Sequence, residues 1–194
     1  MKNTLFLSIL LNKTMEKDEY TLSIIGDITK DEVDLYAPHI KAKLVEIARD
    51  SVKSIQIITP LHNPTDRLLA HIAIELGIEF VVLLPMPREL LIRDFDDASL
   101  AEFNYLISQA HSIDTIPLYW DNTLESIAKD GVDREYQCME LRRILAKESD
   151  EMIVLWDEVE SYEFGSTAHI VSMRRDDYGR SVCVILYKQS GTFR

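Results

Sequence analysis

Residues Glu79 to Leu84 read Glu-Phe-Val-Val-Leu-Leu and are closed by Pro85-Met86-Pro87. An unbroken apolar run this short, stopped by two prolines, suits a strand covered on both faces, as in parallel sheets. The rest of the chain follows the same rule. Strands are expected at Tyr20 to Ile25, Ser54 to Thr59, Ser112 to Leu118, from Met152 onward and at Ser181 to Tyr187, with helical periodicity between them. The alternation predicts an α/β fold: a mostly parallel sheet of five or more strands, right-handed crossovers and helices on both faces. Ile55 to Ile58, Val81 to Leu84 and Ile153 to Leu155 are the expected central strands.

The helix ends carry recognisable signals. Thr29 is placed to cap a helix beginning near Asp31, with Asp31 and Glu32 where the dipole favours acids and Pro38 positioned to break or kink it early. Asn63, Pro64 and Asp66 form a strong start signal, and Gly77 ends that helix. Arg88 to Asp97 is a charged segment. Further helices are expected from about Ser99 to His111, from Arg134 to Lys147, and from Ala168 to near Asp176, with a loop and a short helix between Tyr119 and Gly131.

Length and composition suit one domain over residues 1–194, with 1–19 as an extra strand or packed arm. Leu5 to Leu11 follows Lys2 but is at the short limit for a signal peptide, and no small-residue cleavage site follows. No run is long enough to span a bilayer, so a cytoplasmic protein is expected. The formal net charge of −12 argues against a general binder of nucleic acid or of anionic membranes. Cys138 and Cys183 are too few and too far apart for a disulfide framework or a zinc motif.

In such a sheet, ligands bind beyond the carboxyl ends of the strands. Gly26-Asp27-Ile28, Thr59 to Arg67, Pro85 to Arg93, Tyr119 to Asn122 and Trp156 to Thr167 lie there. Gly165, Ser166 and Thr167 stand where a helix begins, so backbone N–H groups could hold a phosphate or carboxylate; Ser166 or Thr167 could equally just cap the helix. Arg67 could clamp a phosphate or pair with Asp66 or another local acid. Asp157 could accept from ribose hydroxyls or cap a loop, and Trp156 could stack on a ring or pack in the core. Glu158 and Glu160 are acid/base candidates or solvated. Arg88 and Arg93 belong to a possible lid or pair with Asp94 or Asp96. His62 and His169 have no Cys or His at metal spacing, so no metal and no cofactor are expected.

Leu61-His-Asn-Pro-Thr-Asp-Arg67, Val81-Val-Leu-Leu-Pro-Met-Pro87 with Arg93-Asp94-Phe95, and Leu155-Trp-Asp157 leading to Gly165-Ser-Thr-Ala168 together resemble the SLOG superfamily. These are Rossmann-like proteins related to the lonely-guy (LOG) phosphoribohydrolases and to DNA-processing protein A. The resemblance runs from about Tyr20 to Arg175. One bacterial branch has Leu-Ala-Glu-Gly-Ala-Asp-Arg, Leu-Pro-x-Pro, and Leu-Trp-Asp-Gly followed by Gly-Gly-Thr-Ala. Here His62-Asn63-Pro64 replaces Ala-Glu-Gly, Glu158 replaces the glycine after Trp-Asp, and Ser166 replaces the second glycine. Gly26-Asp27-Ile28 stands where relatives have Gly-His-Arg.

The resemblance implies a sensor domain for a nucleotide or nucleotide-derived ligand, bound through Gly165, Ser166, Thr167, Arg67, Asp66, Asp157 and Gly26. The alternative is a LOG-like phosphoribohydrolase cleaving the N-glycosidic bond of a nucleoside 5′-monophosphate. The Pro-Gly-Gly-x-Gly-Thr-x-x-Glu run of that enzyme is missing, since Ala168-His169-Ile170 follows Thr167. The expected partners are a nucleotide-like small molecule and a second copy in a homodimer, through part of the apolar arc Tyr136, Met139, Leu141, Ile144 and Leu145; neither nucleic acid nor membrane is expected.

Overall fold

A computed structural model describes residues 19–156, 159, 161 and 163–186. Residues 1–18 of the expected N-terminal arm, together with Asp157, Glu158 and Glu160, lie outside them. In chain order the elements are β1 (Glu19–Ile25), a 3-10 turn (Lys30–Glu32) running into α1 (Val33–Asp50), β2 (Ser54–Thr59), α2 (Pro64–Leu76) and β3 (Glu79–Leu84). Then come α3 (Arg88–Leu91) with a 3-10 turn (Ile92–Asp94), α4 (Asp97–Gln109), β4 (Ser112–Thr115), α5 (Leu124–Ile127), α6 (Val132–Glu148) and β5 (Glu151–Trp156). Finally α7 (Thr167–Ser172) continues as a π-helical turn (Met173–Asp177) into β6 (Cys183–Leu186).

The strands make one parallel sheet in the order β4-β3-β2-β1-β5-β6. The three expected central strands are all interior, with β4 and β6 at the edges. Side chains alternate between two cores. Leu22, Ile24, Ile57, Val82 and Ile153 meet Ile40 and Leu44 of α1, Leu69 of α2 and Phe103 and Leu106 of α4. Ile25, Ile58, Leu83 and Val154 meet Ile144 and Leu145 of α6 and Ile170 and Val171 of α7. Helices thus cover both faces, which is why the strand sequences are apolar on both sides. The chain moves outward from β1 to β4, then crosses to β5, so the order reverses between β1 and β5.

Pro38 does not break α1. It removes one amide donor, a cost of about 3 kcal/mol. Tyr36, Ile40 and Leu44, spaced four apart, are all buried on one face. Three such side chains at about 1.5–3 kcal/mol each outweigh the proline. The apolar arc of α6 divides between the core and the surface. Met139, Leu141, Ile144 and Leu145 are buried against the sheet and α7, and only Tyr136 of that set faces outward.

Two buried arginines close helix ends. Arg174, in the π turn, donates to the carbonyls of Ala146 (2.8 Å), Ser149 (3.0 Å) and Asp150 (3.0 Å) at the end of α6, and to Ser181 O (2.6 Å). Arg180 adds a second donor to Ser149 O at 2.7 Å, and cations there complement the helix dipole. Arg134, at the start of α6, donates to Ile127 O (2.8 Å) and Leu90 O (3.2 Å) and pairs with Asp94 at 2.6 Å. Among the described residues no helix is long and apolar enough to cross a membrane.

Candidate functional site

The turn before α7 is closed on itself. Ser166 is the N-cap, and its Oγ accepts from His169 N at 3.2 Å. Gly165, at φ +80°, donates its N–H to His169 Nδ1 at 3.0 Å. Ser166 N donates to Glu163 O at 3.1 Å. Gly165 O accepts from Arg142 of α6 at 2.6 Å. Thr167 is the first helical residue. Two of the amides that an anion would use therefore already have acceptors, and the capping role of Ser166 is satisfied.

Arg67 is turned inward. Only 3% exposed, it pairs with Glu102 of α4 at 2.8 Å and donates to His62 O at 2.9 Å and Leu61 O at 3.4 Å. Its guanidinium stands over the Phe95 ring, 5.5 Å from the centroid. Its acid is thus Glu102 rather than Asp66. The arginine that touches the Gly165 turn is Arg142, which also approaches Asp27 at 3.7 Å. The sequence reading had not singled out Arg142, because nothing local marks which α6 arginine leans over the strand ends.

Asp66 closes a capping box at the start of α2. Its Oδ2 accepts from His62 N (3.0 Å) and Asn63 N (3.1 Å), while Asn63 Oδ1 accepts from Asp66 N (2.9 Å). Burial outweighs these hydrogen bonds and pushes the carboxyl up to about 6. Burial likewise pulls the His62 imidazole down, against the opposing pull of Asp94. Gly26 is held by packing: a Cβ there would meet Leu155 Cβ at 2.7 Å.

Asn63, Asp66, His62, Cys138 and Arg142 surround a recess at the strand-order reversal of only about 30 Å³. That is room for about one water. A second cavity, of about 600 Å³, opens at the end of β5 against α7. This is within the range of ligand pockets, roughly 300–1,000 Å³. Trp156 at the end of β5 and Phe164 form its apolar walls, with Ser161 on the connecting loop. Ala168, Val171, Ser172 and Arg175, at positions i, i+3, i+4 and i+7, bring one face of α7 and its π turn into it.

The polar groups of the cavity are mostly donors. Arg175 sits over the Trp156 ring, 5.9 Å from the centroid, and has no carboxylate partner among the described residues. His169 lines the cavity with Nδ1 occupied by the Gly165 amide. In the neutral ring the proton therefore resides on Nε2. Asp176 is engaged with Ser172 Oγ at 2.7 Å. Arg175 is not among the residues expected from the sequence; the i, i+3, i+7 spacing from Ala168 and Val171 marks its helix face, but its pairing with Trp156 depends on tertiary placement. Among the described residues no three His, Cys, Asp or Glu side chains gather to hold a metal.

The all-parallel sheet, its order and the helices on both faces define a Rossmann-like α/β fold. The chain is similar in structure to DNA processing protein A (DprA) from Streptococcus pneumoniae, with a TM-score of 0.55 and 15% sequence identity. The alignment covers 90% of this chain and 51% of that protein, so this chain spans about half the length of that protein, and the likeness is one of fold. No protein-family profile and no curated protein matches the chain in sequence.

Proposed function

We propose that this chain is a SLOG-type binding domain for a nucleotide or nucleotide-derived ligand, seated in the cavity between Trp156 and α7. The observation that carries the reading is Arg175: an arginine without a carboxylate partner among the described residues, in a chain of net charge −12, facing a cavity beside an indole. A planar ring stacks on Trp156 and Phe164. The anionic group takes charge-assisted hydrogen bonds from Arg175 and the Nε2–H of His169. The Gly165-Ser166-Thr167 turn forms the rim and orients His169, while Asp66, Arg67 and Gly26 hold the neighbouring strand ends in place.

Size supports the larger recess, since about 30 Å³ at the strand-order reversal is too small for a nucleotide. Hydrolysis of a glycosidic bond requires a carboxylate facing the sugar. Asp176, the described carboxylate of the cavity, is held by Ser172, so binding is preferred to catalysis. The DNA-processing role in the neighbour's name is not carried over, because the net charge opposes a phosphate backbone. Calorimetry with a panel of nucleoside mono- and diphosphates tests the reading: at least one binds the wild-type chain, and Trp156→Ala and Arg175→Ala weaken it. Binding unaffected by both substitutions in folded protein, or no binding by any member of the panel, overturns it.

A further inference from the structure

The carboxyl edge carries a second surface, which the nucleotide reading does not use. Tyr119 stacks on Tyr136 of α6, with centroids 5.9 Å apart and planes at 12°. Tyr136 meets Phe164 edge-on at 4.9 Å. Asn122 ties the Tyr119–Asn122 turn to α6, its Nδ2 donating to Asp133 O at 2.9 Å and its N to Tyr119 O at 2.9 Å. Trp120 lies in that turn with a left-handed backbone, φ +47°, and is 82% exposed. Val132 (62% exposed) shares a helix face with Tyr136 (40%) four residues on. Trp120 thus stands in a turn bound to the start of the helix that carries Val132 and Tyr136, and large exposed apolar side chains on adjoining elements mark an interaction surface.

The carboxylates that adjoin it make no ion pair among the described residues. Asp121 follows Trp120, Asp133 and Glu135 flank Val132 and Tyr136, and Glu163 precedes Phe164. None of the four pairs with a lysine or arginine among the described residues, while ten other carboxylates pair with one elsewhere among them. Acidic groups around exposed rings repel phosphates, and the patch pressed against its own copy would bring like charges together. They attract arginine and lysine, which also gain from the ring faces.

We infer that the surface formed by Trp120, Val132, Tyr136 and the carboxylates of Asp121, Asp133 and Glu135 docks a cationic, partly apolar segment of another protein. Its arginines or lysines meet the carboxylates and ring faces, and its apolar side chains cover Trp120 and Val132.

Fluorescence anisotropy of the whole chain with a labelled peptide of alternating arginine and leucine tests this. The expected result is salt-sensitive binding, weakened about tenfold or more by Trp120→Ala with Tyr136→Ala, and by Asp121→Asn, Asp133→Asn and Glu135→Gln combined. Trp120 and Tyr136 are exposed, so circular dichroism should show folded variants. The inference is overturned if both variants bind the peptide as the wild type does, or if the peptide does not bind. It is also overturned if oligothymidine competes for the surface, or if light scattering shows a dimer that Trp120→Ala with Tyr136→Ala dissociates. Nucleotide affinity is read separately on the same variants, so failure here leaves the cavity reading standing.

Discussion

Gly165 donates its backbone N–H to Nδ1 of His169, four residues ahead, at 3.0 Å. The bond uses the amide of the left-handed glycine and sets the imidazole tautomer at once. At alkaline pH, with the ring neutral, a long-range proton–nitrogen spectrum should show His169 with its proton on Nε2. His169→Phe keeps the ring volume but leaves the Gly165 amide unpaired, and amide exchange at Gly165 should then accelerate. A spectrum with the proton on Nδ1 contradicts the arrangement.

Arg67 and Arg175 should behave in opposite ways. Arg67→Ala removes a buried guanidinium from Glu102 and two carbonyls, so denaturant unfolding should report a loss of about 2–3 kcal/mol. The affinity of the remaining folded protein for a nucleotide should be unchanged. Arg175→Ala removes an exposed cation and should leave stability within about 0.5 kcal/mol. It should weaken binding by roughly ten- to a hundredfold, the worth of a charge-assisted hydrogen bond. A swap of these two phenotypes would return the ligand to the Arg67 side.

Asp66 gives the fold a pH dependence of definite sign. Its carboxyl titrates near about 6 in the folded chain, against 3.8 for an unperturbed group, because burial disfavours the charge. Between about 4 and 6 the folded state holds a proton that the unfolded chain has released. This contribution therefore falls as pH rises through that window and is then flat, about 3 kcal/mol lower. Asp66→Asn keeps an acceptor for the His62 and Asn63 amides and removes the charge. Denaturation from pH 4 to 8 should show the variant without this decline, and more stable than wild type at pH 7. Asp66→Ala should be destabilised throughout, since both amides lose their acceptor. Parallel profiles for wild type and Asp66→Asn would refute the assignment.

Gly26→Ala should be costly although its backbone has no need of a glycine. The added Cβ would stand 2.7 Å from Leu155 Cβ, so β1 and β5 must shift apart. Overpacking of this kind costs about 1–3 kcal/mol. Thermal unfolding of Gly26→Ala alone and combined with Leu155→Gly, which removes the Cβ, provides the check. The alanine at 26 should cost less in the Leu155→Gly background, and equal costs would show that the contact is not the cause.

The sequence by itself determined the sheet, its interior strands and most helix ends. These follow from local rules: apolar runs covered on two faces, periodic helices, and the Asn63-Pro64-Asp66 and Gly77 signals, each readable within a few residues. Pro38 misled because its local cost is outweighed by Tyr36, Ile40 and Leu44 packing on strands remote in sequence. The site was legible as a region and not as a set of contacts. Trp156 and the Gly165-Ser166-Thr167 turn were placed at the ligand edge, but the partner of each arginine was not. Tertiary structure alone decided that Arg67 faces Glu102, that Arg142 leans on the Gly165 turn, and that Arg175 stands over Trp156. A long cationic side chain can reach acceptors on several elements, and which it meets is set by how helices cross the sheet rather than by its neighbours in the chain.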